Sequence, residues 1–173
     1  MYILPAFQNV KTFVFDMDGV LTDGSLYITG DNKWLRKMHV KDGYALQLAV
    51  KAGYNIIVIS GSNSPEVADR LNRLGVQHVF MGIKDKSTML QEWMLANNLE
   101  LSESLFMGDD IPDYECMNIA GIAACPFDAA SEIKELAAYI SPLRGGEGCV
   151  RDVIEKVMKL NGKWNLHTNT TST

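Results

Sequence analysis

The sequence predicts an α/β fold: a central, mostly parallel sheet flanked by helices. Three observations carry this. Short apolar runs alternate with longer helical patterns along the chain. Three of the runs, Thr12-Phe13-Val14-Phe15, Asn55-Ile56-Ile57-Val58-Ile59 and Leu105-Phe106-Met107, are apolar at nearly every position, as strands buried on both faces are. Each of the three then empties into Asp, Ser or Gly, and in open parallel sheets ligands sit just beyond the carboxyl ends of the strands. The 173 residues suffice for one such domain, placed at 1–162, with no second domain needed.

Taken in order, the first strand covers 11–16 and stops at Asp16. Residues 25–40 carry two extended runs around Gly30-Asp31-Asn32, a β-hairpin insertion far too short to be a lid domain. A helix over 43–52 closes at Gly53, and a strand covers 54–60. Ser64-Pro65-Glu66 opens a helix over 64–74 with a hydroxyl cap and a first-turn proline, and Gly75 ends it. A strand at 77–80 leads to a helix over 86–98 patterned by Met89, Leu90, Trp93 and Met94. A strand at 104–107, a helix at 112–118, a strand at 120–124, a helix at 129–136, a short strand at 138–141 and a helix at 147–160 complete the alternation. Residues 163–173 read as a flexible polar tail.

Bulk properties narrow the function. A net charge of −5 without basic clusters argues against nucleic acid as a partner. No apolar stretch approaches the ~20 residues that span a bilayer, and the N-terminus lacks the pattern of an export signal, so neither membrane insertion nor export is expected. Cys116, Cys125 and Cys149 are odd in number and lack metal-ligand spacing. They read as reduced thiols packed in the core of a cytoplasmic protein.

The polar residues at the strand ends are the candidates for chemistry. Asp16 and Asp18, at i and i+2 on extended chain, face the same way, and two carboxylates that close need an offsetting cation. An oxygen-only donor set favours a hard ion such as Mg²⁺, although an Asp-x-Asp pair alone equally reads as a solvated turn. Ser60 can donate to a phosphate oxygen, and Gly61 lets backbone N–H groups come close. Gly82-Ile83-Lys84-Asp85-Lys86 supplies ammonium groups before a helix, although a lysine there ordinarily reads as a solvated helix start. In Gly108-Asp109-Asp110-Ile111-Pro112-Asp113, Asp110 or Asp113 could equally be an ordinary helix cap.

In order, Asp16-x-Asp18, Ser60, Lys86 and Gly108-Asp109-Asp110-x-x-Asp113 resemble the four motifs of the haloacid-dehalogenase (HAD) superfamily of phosphotransferases. The resemblance implies a Rossmann-like HAD fold and a set of roles. Asp16 is the nucleophile that forms an aspartyl-phosphate, and Asp18 is the general acid and then the base. Mg²⁺ is held by Asp16, the Asp18 carbonyl and Asp109. Ser60 and Lys86 hold the phosphoryl oxygens, Lys84 matches the motif less well and stays a surface charge, and Asp110 and Asp113 support metal waters and the lysine.

The gap between Ser60 and Lys86 leaves no room for a cap domain, so something else must cover the substrate. Within the superfamily the chain is similar to the capless 3-deoxy-D-manno-octulosonate 8-phosphate (KDO 8-phosphate) phosphatase family. The similarity rests on Asp16-Met17-Asp18-Gly19-Val20-Leu21-Thr22-Asp23-Gly24, on His39-Val40-Lys41-Asp42-Gly43-Tyr44 and on Arg144-Gly145-Gly146-Glu147-Gly148. It implies a homotetramer built on the hairpins, with each active site completed by the adjacent subunit. It also implies substrate contacts from Lys41, Asp42, Gly43 and Arg70. Two departures remove cations that could hold a sugar-acid carboxylate: Ser62 stands where many members have arginine, and Gln47 replaces a basic residue. Arg70, Arg73 or Arg144 could compensate, though Arg70 and Arg73 equally read as a solvated helix face.

The expected activity is Mg²⁺-dependent hydrolysis of KDO 8-phosphate, a phosphorylated sugar acid, in the pathway toward lipopolysaccharide. KDN 9-phosphate or N-acetylneuraminate 9-phosphate is the alternative substrate, and a catalytically idle tetrameric scaffold is the alternative of another class.

Overall fold

The fold is seen in a computed structural model that describes residues 4–31 and 33–164. Six parallel strands run in the spatial order β5-β4-β1-β6-β7-β8. They are β1 (Thr12–Phe15), β4 (Asn55–Ile59), β5 (His78–Phe80), β6 (Ser104–Met107), β7 (Ile122–Cys125) and β8 (Tyr139–Ile140). Between β1 and β4 lie β2 (Tyr27–Ile28) and β3 (Trp34–Leu35), an antiparallel pair outside the main sheet. The helices are α1 (Leu4–Gln8), α2 (Val40–Lys51), α3 (Pro65–Arg73), α4 (Lys86–Ala96), α5 (Tyr114–Ile119), α6 (Ser131–Leu136) and α7 (Cys149–Leu160).

Strand alternation sorts the core into two layers, one on each face of the sheet. Phe13, Phe15, Ile56, Val58, Leu105 and Met107 pack against α1, α2, α3 and α7. Val14, Ile57, Ile59 and Phe106 pack against Leu90 and Met94 of α4, Cys116 and Met117 of α5 and Ile133 of α6. All three cysteines are buried as free thiols, and burial pushes Cys116 up to about 12 and Cys125 up to about 11. No helix among the described residues is long and apolar enough to cross a membrane.

The departures from the expected elements have local causes. α2 starts at Val40 instead of 43, because His39 is the extended cap residue and its carbonyl already accepts the Gly43 N–H at 3.3 Å. Ser64 does not cap α3 through its hydroxyl. Its side chain is buried, and its carbonyl instead accepts the Ala68 N–H at 3.1 Å. α1 carries no helical periodicity in five residues; it exists because Phe7 buries fully, edge-on to Tyr139 at 5.4 Å. At the other end, Trp164 packs against the core with the Arg151 guanidinium 5.3 Å from its ring centroid. The rest of the expected tail, 165–173, lies outside the described residues.

This topology decides where the polar strand ends go. From β1 the chain moves outward to β4 and β5, then returns to β6 on the other side of β1 and moves outward again. Adjacent strands whose connections leave in opposite directions open a crevice at their carboxyl ends. Here that crevice lies beyond Phe15 and Met107.

Candidate active site

Asp16 is the first residue past β1, and its N–H still bonds the Met107 carbonyl at 3.0 Å, so the β1–β6 ladder fixes its backbone. Asp109 stands two residues past β6 and Ser60 directly follows β4. Lys86 is the first residue of α4, whose start is capped by Asp85 accepting the Thr88 N–H. These groups, with Asp18, Gly61, Asp110 and Asp113, line one cleft of about 340 Å³. Asp16, Lys86 and Asp113 are buried there.

Lys86 is the hinge of the arrangement. Its ammonium donates to Asp16 Oδ1 and to Asp113 Oδ1, both at 2.7 Å. Asp113 Oδ2 accepts the Asp109 N–H at 3.1 Å, so both oxygens of Asp113 are occupied in holding Lys86 and the loop after β6. Burial would lower the Lys86 pKa, but the charges of Asp16 and Asp113 outweigh it and raise the value. The Ser60 hydroxyl oxygen accepts the Ser62 N–H at 3.1 Å, which leaves its own O–H free to donate.

Oxygens of Asp16, Asp109 and Asp113 lie within 4.8 Å of one another. Burial, then the Asp113 charge, pushes Asp16 up to about 7. Burial, then Asp16 and Asp113, pushes Asp109 up to about 8. Carboxylates crowded this way, without Cys or His, fit a hard divalent cation, which would remove the repulsion. With both Asp113 oxygens engaged by Lys86 and the Asp109 N–H, Asp16 and Asp109 are the better placed of the three to hold the cation. Seating Asp109 requires Gly19: at φ +87 it turns the chain left-handed, and a Cβ there would lie 2.0 Å from Asp109 Oδ2.

Asp18 occupies the turn Met17–Leu21, and its carboxylate is gripped by a residue that sequence reasoning missed. Arg36 Nε donates to Oδ1 at 2.7 Å and Nη2 to Oδ2 at 3.2 Å, while the Thr22 hydroxyl reaches Oδ1 at 3.3 Å. Arg36 comes from the hairpin, whose local pattern announces no partner at residue 18. It also lines a second groove of about 580 Å³, beside Trp34, Val67 and Arg70.

The remaining candidates disperse. Asp110 is exposed and accepts the Ile111 N–H at 2.8 Å. Arg73 pairs with Asp69 on the surface of α3, and Lys84 is exposed. Arg144 lies 3.9 Å from Asp128 and over the Phe127 ring, outside the residues that line the acidic cleft. Its neighbours matter instead: a Cβ on Gly145 would stand 1.9 Å from the Gly19 carbonyl, so this loop presses on the turn that carries Asp18. Lys41 lines a separate charged cleft with His39 and Arg151. Gly43 makes room for Arg70, whose Nη2 would sit 3.2 Å from a Cβ placed there.

Asp42 is buried and is not among the residues lining the acidic cleft. Its Oδ1 accepts the Arg151 N–H at 2.7 Å, tying α2 to the first turn of α7, and burial pushes it up to about 6. A folded-state pKa above the unfolded value contributes stability at low pH that is lost as pH rises through about 6. Asp42→Asn keeps the acceptor and removes the charge. Urea unfolding is expected to show a variant more stable than wild type by about 1–3 kcal/mol at pH 8, with the gap closing toward pH 4. A variant weaker than wild type at pH 8 would contradict this.

No family model matches the chain. The chain is 28% identical over 162 residues to the 3-deoxy-D-manno-octulosonate 8-phosphate phosphatase of Yersinia pestis, spanning 91% of this chain and 87% of that one. A crystal structure of the Yersinia pestis enzyme superposes with a TM-score of 0.92 at 25% identity, covering 99% of this chain and 91% of that one. The Moraxella catarrhalis 3-deoxy-D-manno-octulosonate 8-phosphate phosphatase, solved in complex with a magnesium ion, a phosphate ion and KDO, superposes with a TM-score of 0.88 at 30% identity over 91% of each chain.

Proposed function

The chain belongs to the 3-deoxy-D-manno-octulosonate 8-phosphate phosphatase family of the haloacid-dehalogenase superfamily, and on that premise we propose that it is a Mg²⁺-dependent phosphatase releasing phosphate from KDO 8-phosphate. The observation that carries the reading is the convergence of Asp16, Ser60, Lys86, Asp109 and Asp113 on one cleft from three strand ends, a helix start and the loop beyond Asp109.

Asp16 attacks phosphorus and the ester bond breaks, giving an aspartyl-phosphate; Asp18 gives a proton to the departing alkoxide. Water then attacks phosphorus, Asp18 takes the water's proton, and Asp16 is freed. Ser60 donates its free O–H to a phosphoryl oxygen and Gly61 opens the backbone beside it. Lys86 supplies positive charge to the phosphoryl group and keeps Asp16 in place. Magnesium, held by the Asp16 and Asp109 carboxylates and the Asp18 carbonyl, neutralises phosphoryl charge when bound. Asp113 holds Lys86 and the Asp109 loop from behind, and Asp110, exposed at the cleft, is assigned to the metal's waters. Arg70, in the groove next to the cleft, is our choice for the sugar-acid carboxylate.

The test is phosphate release from KDO 8-phosphate, KDN 9-phosphate and N-acetylneuraminate 9-phosphate, with Mg²⁺ and with chelator. The highest kcat/KM for KDO 8-phosphate, lost in chelator, is expected. Preference for a nine-carbon ester would reassign the substrate, and no turnover on any would leave the scaffold reading.

The proposal extends to a cytoplasmic homotetramer serving lipopolysaccharide synthesis. Its support is the hairpin, which holds Ile28 at 73% and Trp34 at 56% exposure beside exposed Tyr27 and Leu35. Paired as Tyr27 with Leu35 and Ile28 with Trp34, these residues put exposed apolar side chains on both faces of the ribbon, and exposed apolar surface of this kind marks an interaction site. A second copy seated there would also roof the groove that holds Arg70. Trp34→Glu is expected to shift sedimentation from tetramer to smaller species and to lower kcat/KM by roughly tenfold. A wild-type protein that sediments as a fully active monomer would end this part of the reading.

A further inference from the structure

Arg36 is left without a task by the chemistry above, yet its side chain is only 4% exposed while Leu35 and Lys37 on either side stand at the surface. Burying a guanidinium is costly unless it is well paired, and its partner here is the carboxylate of Asp18. The grip is two-pronged but unequal. Nε donates to Oδ1 at 2.7 Å, and Oδ1 also accepts from the Thr22 hydroxyl at 3.3 Å; Oδ2 receives only Nη2, at 3.2 Å.

Apart from the long Thr22 contact, the Arg36 grip is what holds this side chain among the described residues. The turn that bears Asp18 leaves helical geometry at Asp18 itself (φ −79, ψ 122) and at Gly19 (φ 87), so no helical neighbour restricts its rotamer. The carboxylate is partly exposed at the mouth of the cleft. A free aspartate there would spread over several staggered rotamers. The grip reaches Asp18 from the far side, out of the hairpin that follows β1.

We propose that Arg36 is a positioning residue for the acid–base carboxylate: it anchors Oδ1 and leaves Oδ2 as the oxygen that passes the proton. This rests on the phosphatase reading and assigns that reaction a residue from the hairpin. In the first step the Asp16 oxygen–phosphorus bond forms and the phosphorus–ester oxygen bond breaks. The bonding pair stays on the ester oxygen, which takes the proton from Oδ2. In the second step the water oxygen–phosphorus bond forms, the phosphorus–Asp16 oxygen bond breaks, and the water's proton goes to Oδ2. The weaker Nη2 contact opens in both steps while the Nε contact keeps its orientation.

A merely structural arginine and a positioning one differ in their dependence on the leaving group. An aryl phosphate whose phenol has a pKa of about 7 needs no proton in the first step, whereas the alkyl ester of a sugar needs one. Arg36→Met and Arg36→Lys, in the full-length protein with Mg²⁺, are compared with wild type by rapid mixing on p-nitrophenyl phosphate and on KDO 8-phosphate. Expected for Arg36→Met is a stoichiometric p-nitrophenolate burst at the wild-type rate, followed by slowed turnover. Its single-turnover rate on the sugar phosphate is expected to fall by about 10- to 100-fold. Arg36→Lys recovers part of the loss, because an ammonium can hold one oxygen. If Arg36→Met does not fold, Arg36→Lys carries the test with the same split between substrates. In an Asp18→Asn background the Lys change is expected to leave the burst rate unaltered. Equal losses in the first step on both substrates, or no loss on either, overturn the inference while the phosphatase reading stands. A wild type that releases no phosphate overturns both.

Discussion

Asp16→Asn is expected to lower phosphate release by on the order of 10⁴-fold or more, because it removes the proposed nucleophile and leaves its surroundings intact. The replacement is nearly isosteric, and the backbone at this point is held by the N–H bond to Met107, so the fold has no reason to change. Stability responds in the opposite direction from activity. Burial and Asp113 push Asp16 up to about 7, and burial and its acidic neighbours push Asp109 up to about 8. Both values lie above the unfolded range, so the stability these groups contribute to the metal-free protein is present at low pH and is lost as pH rises through about 7 and about 8. In chelator at pH 8 the Asn variant is therefore expected to melt at or above the wild-type temperature. Turnover within tenfold of wild type would place the nucleophile elsewhere.

Lys86→Met is the change with the largest expected cost to folding. Its ammonium sits between Asp16 and Asp113 at 2.7 Å from each, in a buried setting. Removing one partner of a buried ionic cluster leaves uncompensated charge and costs about 3–5 kcal/mol. Urea unfolding of the metal-free protein at pH 8 is expected to show that loss. The loss shrinks at pH 6, where Asp16 and Asp109 can take up protons, since both values are raised above that pH. Phosphate release falls as well, by roughly 10³-fold, through the lost phosphoryl contact. Lys84→Met is the control: Lys84 is exposed two residues away, and its replacement is expected to stay within about 0.5 kcal/mol of wild type. Similar losses from the two lysines would remove Lys86 from the centre of the cluster.

The alternation of strands and helices was legible because each strand is a continuous apolar run, and a run buried on both faces has few other homes. Asp16, Ser60 and Asp109 were legible for the same reason: a polar residue at the end of such a run stands at the sheet edge whatever the rest of the chain does. Lys86 was legible only through the order of the four motifs, since a lysine at a helix start by itself reads as a solvated charge. Arg36 was not legible, since its partner lies on another element and the hairpin pattern around it speaks only of extended chain. α1 was missed because Phe7 and Tyr139, far apart in sequence, make it worth forming. Asp42 shows the converse. Its neighbours Lys41 and Gly43 form a recognisable motif, yet its own carboxylate turns inward to the Arg151 N–H. Arg144 drew the eye to a loop whose glycines, through the close approach of Gly145 to Gly19, hold the catalytic turn.

The placement of β1 at the middle of the sheet bears on how the chain is born. β4 covers one flank of β1, but the strand for the other flank, β6, begins only at Ser104. A nascent polypeptide thus carries Val14 and Phe15 beside an unmatched ladder until synthesis has passed Met107. Bare ladders of this kind recruit other chains, and a charge at their end discourages it. Asp16 puts a charge at that end of the ladder from the moment β1 is made, long before there is a cleft to serve.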